Sequence, residues 1–218
     1  MTGARQMVVA IDGPAASGKG TLARRLAAEL NLRYLDTGSL YRATGLTVLK
    51  NGGNPENEAD AVSAAKSLNL AQFSGEDLRS EEAGMAASQV AFQPAVRDVL
   101  LQFQRDFAAN PGAEYAGAIL DGRDIGTVVC PDADVKIFCF ASLEVRIKRR
   151  LEELKNKGET VIEARVRADM EARDQRDRDR SVAPLKPADD AWQLDTSDLN
   201  ADEVFATALN HIRGTGSP

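Results

Sequence analysis

The sequence has one tryptophan, one histidine and two cysteines among its 218 residues. A lone histidine, His211, beside two separated cysteines, Cys130 and Cys139, makes a poor metal-ligand set. A disulfide or metal pair is the alternative for the two cysteines; both are expected as buried free thiols suited to a reducing compartment, with His211 a surface residue near the C-terminus. No apolar run approaches the ~20 residues that a membrane-spanning helix needs. The polar start Met1-Thr-Gly-Ala-Arg-Gln6 lacks signal-peptide architecture. Positive charge is in deficit, with 27 Lys and Arg against 33 Asp and Glu and a net charge of −6. That balance argues against general binding of nucleic acid or of a membrane surface. Internal repeats and low-complexity tracts are missing, and no large apolar stripe requires a second subunit. The expectation is a cytoplasmic monomer with no nucleic-acid or membrane partner. What is present, 43% apolar and 28% charged residues, is the composition of an ordinary globular chain, long enough for one α/β domain with small excursions.

The chain is organised around Gly13-Pro-Ala-Ala-Ser-Gly-Lys-Gly-Thr21, directly after the apolar run Met7-Val-Val-Ala-Ile11. Such a run, rich in β-branched residues and ending in glycine, reads as a buried parallel strand. Downstream, Leu22, Leu26 and Leu30 are spaced as one face of a helix. Strand, glycine loop, Lys19 and helix together give a phosphate-binding P-loop rather than a plain glycine turn. Its candidate residues are Gly13, Pro14, Ala15, Ala16, Ser17, Gly18, Lys19, Gly20 and Thr21. Inward-turned backbone amides and a helix N-terminus would face phosphate oxygens, and Lys19 would reach the β- and γ-phosphates. The commonest form of this loop carries a magnesium-binding Ser or Thr after the lysine. Here Gly20 stands there and Thr21 follows. Gly-Lys-Gly-Thr is the form associated with nucleoside monophosphate kinases, a tilt that comes from resemblance.

Further along, strands are expected at Leu32–Asp36, Ala118–Asp121, Ala133–Ala141 and Trp192–Asp195. Helices are expected from Leu40 to Lys50, weakly from Ala59 to Leu68, then at Met85–Val90, Pro94–Phe107, Leu143–Asn156, Val161–Asp179 and Ala201–Ile212. Asp198 or Asn200 would cap the last. Alternation of strand and helix predicts a three-layer α/β fold with a five-stranded parallel sheet. The core would comprise 7–50, 85–155 and 188–213. Two excursions leave it, a short insertion at about 51–84 and a helical lid at about 156–187, the latter suited to excluding water during phosphoryl transfer.

Segment 146–180 is dense in both charges, and a solvated helix pair laced with ion pairs accounts for about half of them. Arg173, Arg176 and Arg180, at i, i+3 and i+7, would share one helical face with Asp177 beside them. Three convergent guanidiniums suit phosphate groups. Two other stretches follow strands, Asp36-Thr-Gly-Ser-Leu-Tyr-Arg42 and Asp121-Gly-Arg-Asp124. An arginine in either is a phosphate clamp or a plain surface charge. Asp121 could hold Mg²⁺ through water, with no direct protein ligand to the metal.

These stretches, with Ala86-Ala-Ser-Gln-Val90, Asp121-Gly-Arg-Asp-Ile-Gly-Thr-Val128 and Arg173 to Arg180 followed by Ser181-Val-Ala-Pro184, resemble the bacterial cytidylate kinases from Val8 to Ile212. The resemblance implies transfer of the γ-phosphoryl group of ATP, with Mg²⁺, to CMP or dCMP. It implies phosphate binding by Gly18, Lys19, Gly20 and Thr21. It gives Arg42, Arg123 and Arg180 the acceptor phosphate and the group in flight, with Arg176 helping from the lid. Lys19, Arg123, Arg176 and Arg180 would thus be catalytic. Ser88, Arg97 and Asp124 would read the cytosine edge, and Thr37, Arg173 and Asp177 would hold the sugar region. One departure is the segment Asn69 to Leu78, which is short for the stranded insertion of that family and implies a reduced acceptor-binding subdomain. Two rivals remain: an NTP hydrolase or GTPase switch, disfavoured by Gly20 and by the lack of an Asn-Lys-x-Asp motif, and a non-catalytic nucleotide sensor, disfavoured by Lys19 and the arginines.

Overall fold

The computed structural model describes residues 6–215; most of the polar start lies outside them. Five strands form one parallel sheet in the order β2-β3-β1-β4-β5, with helices on both sides. They are β1 Met7–Asp12, β2 Leu32–Asp36, β3 Gly117–Gly122, β4 Val135–Phe140 and β5 Trp192–Asp195. The helices are α1 Lys19–Glu29, α2 Thr37–Lys50, α3 Glu58–Lys66, α4 Glu81–Val90, α5 Pro94–Ala109, α6 Leu143–Asn156, α7 Glu163–Asp179 and α8 Ala201–Thr215. Interior strand β3, flanked by β2 and β1, is buried at all six positions, which is why Ala118–Leu120 reads as a continuous apolar run rather than an alternation.

The residues group into two compact units. One takes in the chain up to Leu35 and from Asn110 onward, the other spans Asp36–Ala109. In the first unit, Val9 and Ile11 of β1, Ile119 of β3 and Ile137 of β4 meet Leu22 and Leu26 of α1 and Ala208, Leu209 and Ile212 of α8. All are nearly or fully buried, and Leu30 packs at the margin, so the stripe read from the sequence is the face that docks α1. Asn200 caps α8: its Oδ1 accepts from the amides of Asp202 and Glu203, while Glu203 Oε2 accepts from the Asn200 amide. That reciprocal box decides between the two expected caps.

A smaller apolar cluster, Ile147, Leu154, Val166 and Met170, joins α6 to α7, and Ala16 of the glycine loop packs against it. Cys130 and Cys139 are free thiols, half-buried and buried respectively. Burial pushes the Cys139 thiol up to about 12. His211 departs from its expected place as a plain surface residue. It is half-buried and stacks on Trp192, with ring centroids 4.1 Å apart, because α8 runs back along the sheet edge where β5 lies.

In the second unit, α2 and α4 approach closely at Gly45, where a side chain would sit 2.6 Å from the Ala86 methyl. α2 begins at Thr37, three residues earlier than the apolar spacing suggests, because Asp36 accepts from the Ser39 amide and caps the first turn. Ser80 likewise caps α4 through the Ala83 amide, starting that helix at Glu81 rather than Met85. Between α3 and α4 lie two short 3₁₀ turns and no strand.

Candidate active site

The loop 13–18 leaves β1 and enters α1. Gly13 has φ +151° and no room for a side chain, since a Cβ would fall 2.0 Å from the Cys139 carbonyl oxygen. Gly18, at φ +89°, turns the chain into α1 in a conformation that favours glycine. No side chain caps this helix and its first turn holds no acid, so its amide end and positive dipole are left for an anion. Lys19 is buried and its Nζ donates to the Pro14 carbonyl at 3.2 Å. Ser17 Oγ is buried without a hydrogen-bond partner among the described residues. A Cβ on Gly20 would lie 3.3 Å from Asp121 Oδ2, the oxygen that accepts from Tyr34 OH at 2.6 Å. Gly13→Ala is expected to displace the loop from β4. A loss of about 1–3 kcal/mol in stability, read by urea denaturation, together with weakened ATP binding is the anticipated result; wild-type values for both would refute the close approach.

β1 and β3 end level with each other, Ile11 opposite Asp121 and Asp12 opposite Gly122, so the glycine loop and Asp121–Asp124 leave the sheet at the same end. After Asp124 comes a π-helical turn, Ile125–Val129, a rare element that the sequence did not announce. Asp12 holds its start: Oδ1 accepts from the Ile125 amide and Oδ2 from the Gly126 amide, each at 2.8 Å. Burial raises the Asp12 carboxyl to about 7, outweighing those two amides, with Asp124 adding to the rise and Lys19 opposing it. The folded state therefore holds this proton more tightly than the unfolded chain, and ionising Asp12 costs stability increasingly as pH rises from about 4 to about 7.

The arginines converge differently from the helical-face expectation. α7 ends at Asp179, and Arg180 is already extended, with φ −57° and ψ 130°. It is buried nonetheless, and pairs with Asp177. Asp177 also takes Arg123 Nε at 2.9 Å. Burial alone would raise the Asp177 carboxyl, but Arg123, Arg180 and Arg173 outweigh it and hold it at about 2. This contribution to stability is present above about pH 4 and is lost as pH falls from there through about 2. Arg173 is thus part of the cluster, half-buried, while Arg176 is exposed. The shared-face reading fails for Arg180 because the helix stops one residue before it.

In the second unit, Arg42 pairs with Asp36, while its Nε is buried without a hydrogen-bond partner among the described residues. Thr37, Ser88 and Arg97 are buried. The Arg97 guanidinium lies 5.5 Å from the Tyr41 ring centroid, within cation–π range, and its NH1 donates to the Ala91 carbonyl at 3.4 Å.

Three groups escaped the sequence reading. Asp12 is one. A second is the buried pair of Arg146 and Asp174 at 2.6 Å, in which Arg146 also donates to the Ala15 carbonyl at 3.4 Å. The third is Arg149, which donates to Thr196 Oγ1 and to its carbonyl oxygen at 2.9 and 2.6 Å, while Thr196 Oγ1 donates to the Ser17 carbonyl at 3.0 Å. The available signal for Asp12 was an acid closing a buried strand immediately before Gly13. Arg146 and Arg149 were hidden among charges that look alike in sequence.

The cytidylate kinase family model matches residues 9–214. A cytidylate kinase of Paramagnetospirillum magneticum is 58% identical over 205 residues, covering 94% of this chain and 97% of that protein. One from Granulibacter bethesdensis is 56% identical over 208 residues, covering 95% and 97%. An uncharacterized protein from Eubacterium ventriosum, known by crystal structure, shares the fold with a TM-score of 0.52 at 14% identity, covering 95% of this chain and 99% of that one. With a match that begins in β1 and ends in α8, the chain belongs to the cytidylate kinase family.

Proposed function

We propose that this protein is a phosphotransferase that moves the γ-phosphoryl group of ATP to CMP or dCMP, giving ADP and CDP or dCDP. The observation that carries the reading is family membership over nearly the whole chain, in a sequence that keeps Lys19 and the Arg123, Arg173, Asp177 and Arg180 cluster. In the reaction, an oxygen of the CMP phosphate forms a bond to the γ-phosphorus while the bond from that phosphorus to the β–γ bridging oxygen breaks, and ADP leaves. The attacking oxygen is already anionic, so no protein base is needed; positioning and charge neutralisation supply the catalysis.

Residues Gly13 to Thr21 hold the ATP phosphates with loop amides, the Ser17 hydroxyl and Lys19. Asp177 stays ionised at neutral pH and orients the Arg123 and Arg180 guanidiniums, which, with Arg42, grip the acceptor phosphate and the transferring group. Arg176, exposed in this structure, reaches the phosphates from the lid 156–187 when that segment closes. Ser88, Arg97 and Asp124 read cytosine, and Thr37, Arg173 and Asp177 border the sugar. Mg²⁺ would arrive as an ion carried by ATP, since octahedral Mg²⁺ commonly takes phosphates, waters and one carboxylate, and Asp121, at the end of β3 beside the start of α1, is the carboxylate that fits. It would neutralise phosphate charge, with Asp121 holding its waters. The reading places the enzyme in the cytoplasm as a monomer acting on free nucleotides.

Cytosine offers an amino donor where uracil has a carbonyl, so Asp124 opposite uracil would set acceptor against acceptor, worth a few kcal/mol in a dry site. The test is ADP formation with ATP, Mg²⁺ and, separately, CMP, dCMP, UMP, AMP and GMP. CMP and dCMP should far exceed UMP in kcat/KM, and Asp124→Ala should narrow the CMP-to-UMP ratio by at least tenfold. Phosphate release without an acceptor, or an unchanged ratio in the variant, would overturn the assignment.

A further inference from the structure

We infer that Asp12 is a positioning residue for the acceptor side of the reaction, fixing the turn that carries Arg123 and Asp124 from the strand that carries the phosphate loop. Asp12 closes β1, and the next residue, Gly13, opens the loop around the phosphates. Its side chain is 4% exposed and leaves the axis of that strand to take the amides of Ile125 and Gly126. Those amides immediately follow Arg123 and Asp124.

The π-helical turn makes this contact necessary. At a helix start the leading amides have no partner within the helix, and here they are buried, where an unmet donor is costly. One carboxyl group with two oxygens meets both donors at equal length, which fixes the turn's rotation as well as its distance. Rotation matters because Arg123 must aim Nε at Asp177 while Asp124, the adjacent residue, serves the base. Beside the β1–β3 ladder, which ends at Asp12 and Gly122, the Asp12 carboxyl ties the turn to the strand that leads into the phosphate loop. Asp12 contacts no reacting atom in this account and acts through the residues it orients.

The inference rests on the proposed CMP reading, and its test separates the two. Asp12→Asn keeps the shape but offers one acceptor and one NH₂, so either Ile125 or Gly126 loses its acceptor. Steady-state kinetics should show KM for CMP raised about tenfold, the CMP-to-UMP ratio lowered, and KM for ATP changed less than threefold. Equal increases in both KM values, or no change in either, would overturn the inference, since general loosening of the fold has no reason to select one substrate. If thermal unfolding shows that the asparagine variant does not fold, Asp12→Glu, which moves the carboxylate by one methylene, is read in the same way. Asp124→Ala is run in parallel. If it disturbs CMP use while the Asp12 variants do not, the positioning role alone falls; if it leaves CMP use and the CMP-to-UMP ratio intact, the base-reading assignment falls and the positioning role with it.

Discussion

Replacing Arg180 with alanine is expected to lower kcat roughly a thousandfold, the lower end of what a transition-state arginine contributes in phosphoryl transfer, while KM for ATP changes by only a few fold. Arg180 sits just beyond the end of α7, buried against Asp177. Asp177 in turn is ionised at any working pH, because Arg123, Arg180 and Arg173 hold its carboxyl at about 2 against the effect of burial. Three guanidiniums around one carboxylate leave the cluster with surplus positive charge, and that surplus is what an incoming phosphate can use. The carboxylate serves a second purpose: two of the side chains that would grip the transferring group are already oriented, so less conformational freedom is lost when the substrates arrive. Removing Arg180 also deprives Asp177 of one partner, so a stability loss of about 1–3 kcal/mol should accompany the kinetic defect. The two effects separate experimentally, since urea denaturation reports the second and single-turnover phosphoryl transfer the first. A kcat within tenfold of wild type in a folded variant would remove Arg180 from the chemistry.

The second large effect concerns stability. Asp174→Ala should cost about 3–5 kcal/mol, because it strands a buried guanidinium. Arg146 and Asp174 are 7% and 4% exposed, and Arg146 also donates from Nε to the Ala141 carbonyl and from NH1 to the Ala15 carbonyl. The pair therefore ties α7 to the glycine loop as well as to α6, beside the apolar cluster in which Ala16 takes part. Asp174 Oδ1 is buried with no hydrogen-bond partner among the described residues, so the ion pair is incompletely compensated. That makes a second outcome specific: the double variant Arg146→Met, Asp174→Leu should recover most of the loss, since apolar replacements of buried pairs are often neutral or better. Equilibrium unfolding in urea checks both. A single-variant loss below about 1 kcal/mol would show that water reaches the pair.

Much of this was legible in the chain itself. The phosphate loop, all five strands and the order of most helices follow from periodicity and punctuation, because a buried parallel strand and an amphipathic helix leave strong local signals. Leu143–Asn156 and Trp192–Asp195 are found at the bounds their patterns mark. The candidate residues Lys19, Arg123, Asp177 and Arg180 were likewise identifiable in sequence, partly from charge spacing and partly from family resemblance. What the pattern could not supply was which of the many charged residues are buried. Arg146, Asp174 and Asp177 are surrounded by neighbours of the same chemistry, such as Lys148, Glu171 and Asp179, that stay at the surface. Tertiary packing alone sorts them, because burial of a charge depends on a partner from another element. The π-helical turn and the departure of Arg180 from the helix have the same origin. Local spacing would continue both as regular helix. Asp12, 113 residues before Ile125, stands at the start of the turn, and the pairing of Asp177 with Arg123 from the β3 loop draws in the chain where α7 ends.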